Sequence, residues 1–292
     1  MGRVHRYYGI PRRVVCLNYS TAEICAALGV SDKITGVASA EGSLADCKAE
    51  YRGAIAKAPF LPSCTSKLNI PSFESVCACR PDLVIGTSYS FNKFGGIADS
   101  NDFEEKGIHV YASKATYELN CGFESIHEDI LNLGKIFGKE HVGKQLINDM
   151  ISEEAELKQW LGEREHKPVR VFSFDAYISG KAFTCGQSLE NHIIQSAGGI
   201  NIFGDMPRQF VTVDWSEVAK RNPEVIVVHS FFSDADGIQK IAFLRQITEL
   251  ADTVAIKNNR LFMVGIKNVF PNICAVNTAR NFASFFHSIS TM

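Results

Sequence analysis

The chain repeats itself, and that fact limits the folds open to it more than any other. Setting Pro81 on Pro223 lines up ESVCACRPDLVIGTSYSF, Glu74 to Phe91, with SEVAKRNPEVIVVHSFF, Ser216 to Phe232, nearly in register. Val76 then falls on Val218, Asp82 on Glu224 and Ile85 on Val227. The opening RVVCLNYSTAEICAALG matches RVFSFDAYISG with the later HIIQSAGG, and GIHVYAS matches NRLFMVG. Such self-similarity predicts one supersecondary frame built twice. In both copies short β-branched runs (VVCL, ITGVAS, DLVIG, IHVYAS; then VRVFSF, EVIVVHS, RLFMVG) alternate with helical stretches. That alternation is the pattern of βα units, so the fold class is α/β with mainly parallel sheets.

Between the copies the pattern changes. Ile126, Ile130, Leu133, Phe137, Val142, Leu146, Met150, Leu157 and Leu161 recur at intervals of three, four and seven, one apolar face of a long helical stretch. A single helix over 139–165 is about 40 Å long at 1.5 Å per residue, too long for an ordinary crossover. The expected organisation is an N-terminal α/β lobe over 1–138, a bridging helix over 139–166 and a C-terminal α/β lobe over 167–292, each lobe of ordinary domain size.

Composition narrows the function. A chain of 292 residues, 46% hydrophobic and 21% charged, has the balance of a soluble protein with room for a real core. The formal net charge of -2 gives no electrostatic case for nucleic acid or an anionic membrane. No apolar run reaches the roughly 18 residues that span a bilayer, and the opening MGRVHRYYGIP lacks the apolar core of a secretion signal. The protein is then either cytoplasmic or a mature form whose targeting segment is absent from this chain.

The nine cysteines are odd in number, scattered, and free of CxxC or zinc spacing, which argues against a disulfide framework. Cys77 and Cys79 draw the eye. Two apart on a short helix ending at Pro81, they point to different sides, and their counterparts in the second copy are Ala219 and Arg221. They read as packing positions.

In open parallel sheets ligands lie beyond the carboxyl ends of the strands. The loops there are rich in aromatics and carry more cations than carboxylates, a mouth suited to a bulky, partly flat, anionic ligand. The contact candidates are Tyr19, Lys67, Tyr89, Tyr177, Arg208, His229, Phe231 and Lys267. His229 is expected to follow its strand into the mouth, and Arg208, in GDMPRQF, either pairs with Asp205 or grips a ligand carboxylate. GxGxxG after the first strand, GxxxxGK[ST], GxSxG and HExxH are all missing, and no residue set offers a nucleophile with its base. No catalytic residue and no resident metal are assigned.

In their order along the chain, IPRRVVCLNYSTAEICAALGVSDKITGV, NIPSFESVCACRPDLVIG, SAGGINIFG, NPEVIVV and AIKNNRLFMVG followed by FPN resemble the substrate-binding proteins of ABC importers for cobalamin, heme and ferric siderophores. The resemblance runs over nearly the whole chain. It implies two Rossmann-like lobes bridged by one long helix, in the manner of class III periplasmic binding proteins. It also implies no intrinsic cofactor and no enzymatic chemistry. The implied cargo is a metal chelate held in the interlobe cleft, a ferric siderophore or heme-like anion first and a corrinoid next, with molybdate or tungstate in a minority of members. The partner would be an ABC-importer permease. The protein would be monomeric and extracytoplasmic, either periplasmic or anchored at the cell surface as a lipoprotein. A surface glutamate on each lobe pairs with the permease in this family. Glu74, seven residues before Pro81, stands at the first position; Ser216 occupies the second, with Glu217 one residue later. The alternative from another class is a nitrogenase-like α/β enzyme or cofactor-assembly protein whose cysteines hold a metal cluster.

Overall fold

The computed structural model describes residues 7, 9–39, 42–63, 70–93, 95–164, 167–231 and 233–290. Strands β1 (Val14–Cys16), β2 (Ile34–Val37), β3 (Leu83–Gly86) and β4 (His109–Ala112) form a parallel sheet in the order β2-β1-β3-β4. Further along come β5 (Val169–Phe174), β6 (Ala176–Ile178), β7 (Lys181–Cys185), β8 (Gly199–Asn201), β9 (Phe210–Val213), β10 (Val225–Ser230) and β11 (Leu261–Gly265). Of these, β8-β5-β10-β11 make a second parallel sheet. The two sheets have the same strand order, copy for copy. The α/β class with parallel sheets is therefore as the repeat requires.

The correspondence reaches single atoms. Val14 pairs with Leu83 as Val171 pairs with Val225. Helices Phe73–Ala78 and Trp215–Arg221 both stop at a left-handed residue before a proline, Arg80 at φ +46° and Asn222 at φ +44°. The proline ring excludes the helical region for the residue before it, so the helix cannot continue. An arginine on the opening strand then ties down that turn. Arg13 Nε donates to the carbonyls of Cys79 and Arg80 at 3.1 and 2.9 Å, and Arg170 Nε donates to that of Asn222 at 3.0 Å. The acid after each proline answers it: Asp82 Oδ1 accepts from the Arg13 amide at 3.1 Å, and Glu224 Oε2 from the Arg170 amide at 3.0 Å. At the outer strand the copies part by one residue, since Leu83 faces His109 while Ile226 faces Leu261.

Cores follow the same pairing. Val15, Leu17, Val76 and Val84 are buried in one cluster, and Phe172, Phe174, Val218 and Ile226 in the other. Each such side chain stabilises by about 1.5–3 kcal/mol when fully withdrawn from water. Cys77 and Cys79 pack half-buried against the first cluster, consistent with a packing role.

The chain divides into two compact units, one of Met1–Tyr117, Glu124–Met150 and Pro271–Cys274, the other of Glu118–Phe123, Ile151–Phe270 and Ala275–Met292. The long helical stretch is two helices, Phe123–Ile136 and Glu140–Gly162, the first ended by Gly138 at φ +64°. The second has 23 residues, about 35 Å at 1.5 Å each, and the unit boundary falls inside it.

The loop expected to carry Tyr177 is instead structured: the segment 175–183 is most of a β-hairpin, and β6, β7 and β9 form a third, antiparallel sheet. Its two-residue turn, Ser179 at φ +49° and Gly180 at φ +88°, has the positive φ pair that matches strand twist. The Ser-Gly dipeptide was the available signal.

Candidate functional site

In the first unit, Asn18 lies just past β1 and its side chain accepts from the Thr21 amide at 2.9 Å, capping the helix Tyr19–Ala27. Tyr19 is thereby fixed in the first turn, half-buried, and burial with the nearby Cys47 pushes its phenol up. Past β3, Tyr89 is 39% exposed on the short turn Ser88–Ser90. That turn is pinned by Thr116, whose hydroxyl accepts from the Ser88 amide at 2.9 Å and whose carbonyl accepts from the Ser88 hydroxyl at 2.6 Å. Gly96 closes the loop because a Cβ there would stand 2.4 Å from the Tyr89 carbonyl. Lys67 lies outside the described residues.

In the second unit, Tyr177 on β6 is 55% exposed, with its ring edge-on to Phe243 at 5.2 Å. Arg208 is exposed, and its carbonyl accepts from the Gln187 amide at 2.8 Å. This close approach needs Gly186, whose Cβ would meet the Arg208 carbonyl at 2.3 Å. The expected alternative of an Arg208–Asp205 pair is not what forms: Asp205 pairs with Arg221 at 2.7 Å. Phe231 is half-buried beneath the Lys240 ammonium, 4.3 Å from the ring centre.

Two candidates sit elsewhere than expected. His229 belongs to β10 rather than to the loop after it, and it is 1% exposed. All six residues of β10 are buried, as in a central parallel strand covered on both faces. Lys267, in the turn Ile266–Val269, is 0% exposed. Neither side chain presents itself to a mouth.

What surrounds His229 was not read from the sequence. Its Nε2 lies 2.8 Å from Glu190 Oε1 and 3.2 Å from Ser173 Oγ, and its Nδ1 lies 3.6 Å from Asp175 Oδ1. Burial drives the imidazole down, but the Glu190 and Asp175 carboxylates outweigh it and hold it up at about 10. Burial likewise works against the Glu190 carboxylate, and the His229 charge overrides it to keep it below its ordinary range. Ser, His and Asp together suggest a hydrolytic triad, yet Ser173 is fully buried and its hydroxyl donates to Glu190 at 2.7 Å. No substrate reaches such a hydroxyl.

The docking candidates differ in environment. Glu74 is exposed in the first turn of its helix, where a carboxylate is favoured by the helix N-terminus, and Ser72 caps that turn. Glu217 is held within its own helix by Arg221 Nε at 2.9 Å. Arg221 also stacks over Phe203 and donates to the Ile202 carbonyl. Ser216, the residue that the repeat places opposite Glu74, is exposed.

A family model described as Periplasmic binding protein matches residues 14–265. The chain is 23% identical over 224 residues to a vitamin B12-binding protein of Photorhabdus laumondii, a match that covers 77% of this chain and 73% of the relative. Among solved structures, a periplasmic binding protein from Veillonella parvula matches with a TM-score of 0.85 at 22% identity, covering 97% of this chain and 94% of its own. The structure of an ABC-type Fe3+-hydroxamate transport system from Saccharomonospora viridis matches with a TM-score of 0.82 at 20% identity, over 96% and 94% of the two chains. At these identities the structural likenesses establish the fold.

Proposed function

The chain belongs to the periplasmic binding protein family, a family of binding proteins rather than enzymes, and from that premise we propose that it captures a metal chelate and delivers it to an ABC-importer permease. A ferric siderophore or heme-like anion is the favoured cargo, with a corrinoid next. The observation that carries this reading is the exposure of Tyr89 and Arg208 on loops and of Tyr177 on the hairpin strand β6, each segment fixed by a glycine or by the hairpin turn. Exposed phenols and a guanidinium without an ion pair among the described residues suit a flat, anionic, aromatic-contacting ligand. Tyr19, in the first turn of the helix past β1, and Phe231, just past β10, add half-buried rings. The protein would work outside the cytoplasm; among the described residues no helix is long and apolar enough to cross a membrane. Glu74 is the proposed permease contact. Neither the fold nor the relatives lend support to the metal-cluster alternative.

The test is a titration of ferric siderophores, heme and cobalamin against tyrosine and tryptophan fluorescence. Stoichiometric quenching by one chelate is expected, weakened at least tenfold by Tyr177→Ala or Arg208→Ala. A flat response to the whole panel would reject the proposed cargo class.

A further inference from the structure

At the carboxyl ends of β5 and β10 the second unit buries Ser173, Asp175, Cys185, Ser188, Glu190 and His229. Both ring nitrogens of His229 face carboxylate oxygens, at 2.8 Å for Glu190 and 3.6 Å for Asp175. A neutral imidazole has one N–H and one lone pair, so it would set a lone pair against a carboxylate in a dry interior. Only the doubly protonated ring offers a donor to each. Asp175 Oδ1 and Glu190 Oε2 accept no hydrogen bond and His229 Nδ1 makes none, so at 3.6 Å it is the charge of the doubly protonated ring that holds Asp175, as an ion pair rather than a hydrogen bond.

The cluster also joins three segments. Asp175 precedes Tyr177 by two residues, and His229 precedes Phe231 by two. Glu190 follows the Gly186 and Gln187 amides, which donate to the Gln209 and Arg208 carbonyls at 2.8 Å each. We propose that the His229 imidazolium is a positioning residue that ties these three segments into one arrangement, so that loss of its proton loosens them together. Its consequence for ligand capture rests on the reading that Tyr177, Arg208 and Phe231 contact the chelate.

The other groups facing this histidine do not compete for the role. Burial and the Glu190 charge push the Cys185 thiol well up, so it stays neutral. From helix Asp234–Leu244 the Lys240 ammonium donates to the His229 backbone carbonyl at 2.8 Å and pairs with Asp236 at 3.2 Å. On β11 the residue opposite is Val264.

The pH window follows from the raised histidine. Its stabilisation is full below the unfolded value of about 6.5 and is lost as pH rises through about 10. Asp129 in the first unit, raised by burial to about 7, changes stability chiefly below that pH, whereas the raised thiols of Cys25 and Cys185 add a loss of their own above about pH 8.5, where an unfolded thiol ionises.

The experiment uses the ligand-free protein. Nitrogen-15 NMR of the labelled histidines at pH 8 is expected to show both His229 nitrogens protonated. His229→Gln is expected to lower hydrogen-exchange protection of the amides over 176–185 at least tenfold while leaving β1 to β4 unchanged, and to abolish the fall in melting temperature between pH 7 and 8, below the range in which unfolded thiols ionise. Asp175→Asn, a smaller change to the buried cluster, serves as the second variant, and it should lower the pH at which the ring loses its proton. A ring with one bare nitrogen at pH 7, or unchanged 176–185 protection in both variants, overturns the proposal. These readouts contain no chelate, so they stand or fall separately from the fluorescence titration.

Discussion

Just past β1 the first unit places Asn18, which caps a helix at once; at the equivalent position the second unit places Asp175, which opens a hairpin and is buried against a histidine. The equivalent of His229 in the first unit is the uncharged Thr87, whose hydroxyl lies 3.3 Å from that of Ser90. Yet the arginine, the left-handed residue before proline and the acid after it are the same device in both units. The frame is held from the amino ends of its strands, and this leaves the carboxyl ends free to diverge.

Substitutions made in pairs test that division. The largest effects are expected in the cores: Phe174→Ala should cost about 3–5 kcal/mol, and its counterpart Leu17→Ala about 2–5 kcal/mol, by urea denaturation. A cost near zero at either would show that the matched core positions are not equivalent. Next come the arginines. Arg13→Ala and Arg170→Ala each remove bonds from a guanidinium to backbone carbonyls, and each should cost about 1–3 kcal/mol. A large loss at one and none at the other would break the claim that one device serves both units. The smallest effect on stability is expected at the surface: Glu74→Ala should change it by less than about 0.5 kcal/mol and leave chelate affinity intact while weakening permease docking. Glu217→Ala should weaken docking less, because Arg221 already engages that carboxylate. Loss of chelate binding in Glu74→Ala would move that residue into the ligand site.

The prediction that His229 reaches the mouth failed for an instructive reason. EVIVVHS ends in a polar pair, and a polar end to an apolar run usually marks where a strand meets solvent. Here the strand simply continues, because Glu190 and Asp175 supply charge to the histidine from segments 39 and 54 residues away. The hairpin is legible in Ile-Ser-Gly-Lys, but the repeat does not predict it, because the first copy runs from Asn18 directly into a helix.

By itself the sequence determined the α/β class, the duplicated frame, the stop of each helix at proline and the packing role of Cys77 and Cys79. These depend on local steric rules and on side-chain periodicity, which a single chain carries openly. Tertiary structure alone decided which polar residues are buried together. A carboxylate and an imidazole acquire their protonation from neighbours that only folding brings within a few ångströms, so His229, Glu190 and Asp175 became a unit only in the assembled sheet.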